Sequence, residues 1–406
     1  MRGFIGAIDV RSSHVSAVVA RVNSDDKLEI LGKTTRMFPV DGKNIYENAE
    51  RLAAAISDTF YEAKDEAQVE MSDAYIAFTT EKSGLMEVKA RRDFATGQRV
   101  MEQTDAISIV SSGYDYPVPD NICVCDVVPR KFAYDDGEDT IFPWGKRTSF
   151  IQANVGLQVV DKDFLNRLRS IVSRTQIRPV GYSLSGVATG YAVLTTEEKQ
   201  DGAIVINIGS SHTDVSVFFD GTPVFCSTIP MGSDDCTKDI SSKLNVTYEQ
   251  ADSLRRMYGL AAISLIEDDH MVPIASDRDC MLSDIVRIIE SRYTKIFELS
   301  DTLVAREDFG RNEPDNVIIT GLGASSTEGL SMLCDSVIKK KSRNGRILAS
   351  FGGRVENVGA VGLAEYIFEN IEYGKQTLFA DFIARDEEPV NVRKKSFLDF
   401  FKRKNR

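Results

Sequence analysis

Six cysteines in 406 residues, with no CxxC pair among them, give no basis for a disulfide framework or a zinc site. Cys123, Cys125, Cys226, Cys236, Cys280 and Cys334 read as buried thiols of a reducing compartment. Long apolar runs are missing too. No stretch of about 18 apolar residues occurs, and the first apolar segment, Phe4 to Ile8, ends at Asp9, so neither a membrane-spanning helix nor a secretory signal is expected and the chain should stay in the cytoplasm. Positive charge is in short supply: 49 Lys and Arg stand against 61 Asp and Glu, a net −12. Such a body repels a phosphate backbone, so no nucleic-acid partner is expected. With 42% hydrophobic and 27% charged residues, the chain is globular rather than disordered or fibrous. Its length predicts about two to four structural units.

The pattern Phe4-Ile5-Gly6-Ala7-Ile8-Asp9, then Arg11-Ser12-Ser13-His14, then Val15-Ser16-Ala17-Val18-Val19 predicts strand, tight polar turn, strand. A near copy follows at Ala203-Ile204-Val205-Ile206-Asn207, Gly209-Ser210-Ser211-His212 and Thr213-Asp214-Val215-Ser216-Val217. The two align without a gap, Asp9 on Asn207 and Ser12-Ser13-His14 on Ser210-Ser211-His212, as an internal duplication would. Between them, helical spacing over 45–66, strands at 74–78 and 122–127, and the turn-rich Asp135-Asp136-Gly137-Glu138-Asp139 predict an inserted α+β unit. After the second copy, helices are expected at 233–243, 248–257 and about 277–303. A buried strand at 316–320 then runs into Gly321-Leu322-Gly323-Ala324-Ser325.

Turns between two strands aim backbone N–H groups into a concavity, and the hydroxyls of Ser12, Ser13, Ser210 and Ser211 add donors that suit phosphate oxygens. Asp9, ending the first strand, is placed to hold Mg²⁺ through its waters, as that ion keeps most of its hydration shell. Gly321 and Gly323 allow backbone to approach a nucleotide before a helix N-terminus. Taken singly, each feature also suits an ordinary hairpin or a packing turn. His14 and His212 read as turn residues rather than metal ligands.

The end of the chain reverses the charge. Residues 393–406 hold seven Lys or Arg against one Asp, after an acidic, weakly periodic stretch over 372–392 that reads as a linker. Phe397, Phe400 and Phe401 follow i, i+3, i+4 spacing, and Leu398 extends their face beside Lys402, Arg403 and Lys404. A helix this short forms only when its apolar face is buried, which suits an interfacial anchor on an anionic membrane. A disordered basic tail is the alternative, against which four large apolar residues on one helical face argue.

The three turns in this order resemble those of the actin and hexokinase superfamily, and the bacterial cell-division family FtsA more closely. Ser185 to Thr195 looks like that family's connecting helix, and Asn357 to Leu363 its closing helix. The segment Tyr248 to Gly259, with Asp252 and Arg255, is similar to the family's ribose-side segment, and Glu290-Ser291-Arg292-Tyr293-Thr294-Lys295 to its E-x-R-Y-x-E helix. The resemblance implies an α/β, duplicated actin-like (ribonuclease-H-like) fold, with two domains flanking a nucleotide cleft. Domain I would take 1–81 and 345–371, a 1C insert 82–165, domain II 166–344, the linker 372–392 and the membrane helix 393–406.

By the same resemblance, Asp9, Arg11, Ser12, Ser13, His14, Asn207, Gly209, Ser210, Ser211, His212, Thr213, Asp252, Arg255, Gly321, Leu322, Gly323 and Ala324 would line a site for ATP or ADP with Mg²⁺. Asp9 and, more weakly, Asn207 would face the metal, and Asp214 would be the one candidate to orient an attacking water. The departures lie at the chemistry. The first turn lacks a glycine and the family's lysine, whose charge Arg11 would restore. Asn207 replaces the metal-facing Asp, and Leu322 replaces a glycine. Nucleotide binding with slow or no hydrolysis is therefore expected.

The implied partners are the C-terminal peptide of the tubulin-like FtsZ, anionic membrane, further copies in a filament, and other membrane proteins of the division machinery, all at the inner face of the cell membrane at the division site. Arg292 and Tyr293 would lie on the FtsZ-binding surface or serve as scaffold. A PilM-type pilus-assembly protein is the alternative within the fold, against which the tail argues. A phosphotransferase of the same superfamily is the alternative enzyme.

Overall fold

The computed structural model describes residues 3–38, 45–95, 97–135, 139–140, 143–309, 313–371 and 381–382. Its frame is two five-stranded sheets of identical connectivity. In the first, strands run Arg178–Leu184, Asp73–Phe78, Phe4–Val10, His14–Val22, Leu28–Met37 across the sheet; in the second, Thr222–Ile229, Thr213–Phe219, Ala203–Ile208, Asn316–Thr320, Lys341–Asn344. If strands are numbered within each half, the first three form an antiparallel meander, the fourth joins the first in parallel and the fifth joins the fourth in parallel. The order is mirrored on paper but identical in chain sequence, so the duplication read from two turns extends over both halves.

Phe4–Val10 and Ala203–Ile208 are buried at every position. Helices cover both faces of a sheet built this way, so its central strands are apolar throughout rather than alternating. Helix Ala49–Ala67 packs against the strands of the first sheet, capped by the Asn48 side chain and ended at Gln68 in the left-handed region. Helices Ser185–Val193 and Val358–Glu369 pack against each other beside both central hairpins. Glycines permit that approach: a Cβ on Gly362 would lie 1.9 Å from the Ala188 carbonyl oxygen, and one on Gly190 would lie 2.1 Å from the Phe218 ring.

The insert is an antiparallel sheet of Ser83–Asp93, Phe150–Asp161, Ile122–Ala133 and Asp139–Thr140, with helix Gln103–Ser111 and a core of its own around Val127, Phe132, Val155 and Leu157. A buried polar knot ties it to the first half. The Asp126 carboxylate accepts from Tyr114 Oη (2.8 Å), Tyr366 Oη (2.8 Å) and the Val127 N–H (2.9 Å), while Gln158 Oε1 accepts from Ser183 Oγ and the Leu184 N–H. On its other side, Lys131 pairs with Asp220 at 2.8 Å and so reaches the second half.

The chain departs from the sequence reading in three places. Strand Arg178–Leu184 pairs with Asp73–Phe78, so this stretch belongs with the first sheet and not with the second half that was expected to begin at 166. The helix expected from about 277 begins at Leu282, because Arg278–Met281 is used in a hairpin with Met271–Ala275. The strand expected over 122–127 continues to Ala133 across bulges in its pairing with Phe150–Asp161. The expected membrane helix at 393–406 and most of the linker lie outside the described residues, apart from Asp381–Phe382, which pairs with Val69–Glu70.

Candidate functional site

The two serine turns are closed by the same bond: the Arg11 N–H donates to the His14 carbonyl at 2.9 Å, and the Gly209 N–H to that of His212 at 2.8 Å. In each, a serine hydroxyl meets the following histidine ring, Ser13 Oγ with His14 Nδ1 (3.0 Å) and Ser211 Oγ with His212 Nδ1 (2.7 Å). The turns face each other across the two halves, and Ser12 Oγ lies 3.1 Å from Ser210 Oγ. Burial pushes His14 down to about 4, despite the opposing pull of Asp9, so its ring is neutral at pH 7.

Arg11 lies between the halves. It is 6% exposed, and its Nε donates to Asp9 Oδ2 (3.2 Å) while Nη1 donates to Asp214 Oδ2 (2.7 Å) and Thr79 Oγ1 (3.0 Å). Burial opposes the guanidinium charge, but Asp214 and Asp9 outweigh it and hold the group protonated. Both carboxylates are otherwise engaged. Ser185 Oγ donates to Asp9 Oδ1, Thr228 Oγ1 donates to Asp214 Oδ1 at 2.9 Å, and Thr79 Oγ1 lies 3.1 Å from Asp214 Oδ2. Asp9 also abuts the first turn of helix Val358–Glu369, where a Cβ on Gly359 would lie 1.9 Å from Asp9 Oδ2.

The third turn fits against the second. Gly321 has φ +100°, and a Cβ there would lie 2.3 Å from the Ile208 carbonyl oxygen; one on Gly323 would lie 2.3 Å from that of Gly209. Both positions require glycine, and the Gly323 N–H donates to Ile208 O at 2.8 Å. Asn207 is buried, its Nδ2 donating to Thr189 Oγ1 at 2.8 Å, and that hydroxyl spends its own hydrogen on the Ser185 carbonyl.

Several expected site residues thus meet near one point: Asp9, Arg11, Ser12, Ser13, His14, Asn207, Gly209, Ser210, Gly321 and Leu322. The cavity that Arg11, Ser13, His14, Asn207, Gly209, Ser210, Gly321 and Leu322 line is about 10 Å³. That is room for one water, whereas drug-sized ligands occupy pockets of about 300–1,000 Å³. A cavity of about 310 Å³ is lined instead by Lys33, Thr35, Met37, Gly353, Arg354, Glu356 and Asn357, with none of the turn serines. In this arrangement the turns leave no room for a magnesium nucleotide, and Arg11 lies between the two carboxylates.

Four expectations change accordingly. Arg11 pairs with carboxylates rather than facing phosphate as a substitute lysine. Asp214 accepts from Arg11 and Thr79 at Oδ2 and from Thr228 at Oδ1, so it serves here as an ion-pair and hydrogen-bond partner. Arg255 is 2% exposed and stitches helix Tyr248–Met257 to its surroundings through Asp252 (2.7 Å), Thr237 (3.0 Å) and Ser326 (3.0 Å), a structural role beside the one expected of it. Tyr293 is fully buried and donates to the Gly323 carbonyl, which makes it scaffold under the third turn; Arg292 is held by Asp239 at 2.8 Å.

The residues that sequence reasoning missed are the hydroxyls that hold the cluster: Thr79, Ser185, Thr189 and Thr228. Thr79 follows the carboxyl end of a parallel strand, where ligand-facing groups of α/β sheets gather, and that position was a usable signal.

Residues 204–360 match the family model described as cell division protein FtsA. The cell division protein FtsA of Borreliella burgdorferi is 24% identical over 392 residues, covering 92% of this chain and 93% of its own. That of Pseudomonas aeruginosa is 22% identical over 84% of this chain and 82% of its own, and that of Escherichia coli 22% over 85% and 84%. Among solved structures, a PilM–PilN type IV pilus biogenesis complex aligns with TM-score 0.59 at 14% identity, covering 89% of this chain and 97% of that one. MreB5 of Spiroplasma citri bound to ADP aligns with TM-score 0.52 at 13% identity, covering 92% and 99%. At such identities the structures establish the actin-like fold alone.

Proposed function

We propose that this chain, a divergent FtsA by its relatives and family match, is an actin-like cell-division protein that polymerises on the cytoplasmic face of the cell membrane at the division site and tethers FtsZ filaments there. The carrying observation is the breadth of the likeness, 92% of this chain against 93% of the Borreliella burgdorferi relative, which takes in both halves and the insert. The PilM-type alternative rests on shared fold, and the phosphotransferase alternative needs an open site that the paired Asp9, Arg11 and Asp214 do not offer.

Membrane attachment would fall to Phe397, Leu398, Phe400 and Phe401 with Lys402, Arg403 and Lys404. No helix among the described residues is long and apolar enough to cross a membrane. Each large apolar side chain contributes about 1.5–3 kcal/mol if fully buried, and each nearby base about 1 kcal/mol on anionic lipid. Ordering the helix offsets part of this, so one copy would bind reversibly and a filament firmly.

An adenine nucleotide is the ligand class of the fold, as in the ADP-bound MreB5 structure. In this chain it would have to displace Arg11. The FtsZ C-terminal peptide, Arg292 side included, is the partner to test first: immobilised peptide should retain the full chain and a scrambled peptide should not. Equal retention by both would remove the FtsZ reading.

A further inference from the structure

Asp9 and Asp214 come from different halves of the molecule, and two buried carboxylates turned to one space repel unless a positive group lies between them. Here it is part of the chain. Arg11 reaches Asp9 at 3.2 Å and Asp214 at 2.7 Å, and its planar fork suits bridging two carboxylates as a point-like ammonium does not.

We propose that Arg11 is an internal replacement for the metal nucleotide, a strut that holds the two halves closed so that the chain reaches its closed state without a ligand. Three observations apart from the ion pairs point the same way. Ser12 and Ser210 touch across the gap at 3.1 Å, which leaves no passage for a phosphate between the turns. Asn207 is turned to Thr189 at 2.8 Å, and presents an amide nitrogen there instead of a second metal-facing carboxylate. Thr79 of the first half also bonds Asp214 of the second, so the strut is braced by a second contact across the halves. Arg11 aligns with Gly209 in the other copy of the turn, where a Cβ would meet the His212 carbonyl oxygen at 2.8 Å, so the two copies differ in whether this position carries a side chain into the cleft. The inference concerns the cleft alone and is independent of the membrane and FtsZ partners.

The test is a distance measured between fluorescent labels placed on the two halves of the full chain, with and without Mg-ADP, beside calorimetric titration of the same protein. The native chain should give one short distance that Mg-ADP does not change. Arg11→Gly should widen that distance without nucleotide and recover it with Mg-ADP, gaining at least about tenfold in affinity, or about 1.4 kcal/mol. Closure of the native chain on adding Mg-ADP would overturn the proposal, as would an Arg11→Gly chain with native width and affinity. Should Arg11→Gly fail to fold, Arg11→Lys keeps the charge without the fork and should still widen the gap; a native distance in that variant would also overturn it.

Discussion

A buried amide can donate a hydrogen bond where a carboxylate cannot, and this difference governs position 207. Thr189 has already given its hydroxyl hydrogen to Ser185 O, so only a donor can face it. Asn207→Asp, which would restore the carboxylate expected of an active relative, should therefore cost about 1–3 kcal/mol, the penalty for a buried polar group without a partner. Chemical denaturation would check this, and an unchanged midpoint would contradict it. His14 gives a second residue-scale prediction. Its folded value of about 4 lies below the usual 6.5, so between those values the unfolded chain binds a proton that the folded chain refuses. Stability from this group is present above about pH 6.5 and is lost as the pH falls towards 4. His14→Asn should flatten the native loss of melting temperature over that window; the same acid loss in the variant would exclude His14. At this scale the sequence identified the positions without their partners. Nothing in Asp9-Val10-Arg11 announces that the guanidinium turns to Asp214, which is 203 residues away.

Elements were more legible. The two serine hairpins are local, and their alternation and turn residues mark both strands and register. Strand Arg178–Leu184 was misassigned because its place in the first sheet depends on pairing with Asp73–Phe78 across the whole insert, a long-range contact that no local pattern carries. The hairpin before Leu282 was hidden for a related reason: Met271–Ala275 and Arg278–Met281 are short and half exposed, so their periodicity merges with that of the helix after them. The tail is the element with the sharpest prediction. Replacing both Phe400 and Phe401 by Glu would take away two rings that the proposed anchor would bury in lipid, worth about 1.5–3 kcal/mol each if fully buried, and would add charge that anionic lipid repels. The variant should fall away from anionic vesicles in flotation at low and high salt, and its retention at both would show that the tail is no anchor.

On the scale of the whole molecule, two halves of one connectivity face each other through duplicated turns, and the insert bridges them by Asp126 on one side and Lys131 on the other. The duplication was visible in the aligned Asp9 and Asn207 hairpins, whereas the packing of the halves was not, since it is set by side chains at Arg11, Ser12, Ser210 and Asp214 whose sequence context suits an open phosphate site equally well. On the proposed reading, a body with an excess of acid and a basic, aromatic end would divide its labour: the rest of the chain for protein partners, the end for lipid. The most direct measurement of that division is sedimentation of FtsZ filaments with anionic vesicles, with and without the full chain. The account predicts FtsZ in the vesicle pellet only when the chain is present. If the chain pelleted with the vesicles while FtsZ stayed in solution, the tethering role would be contradicted.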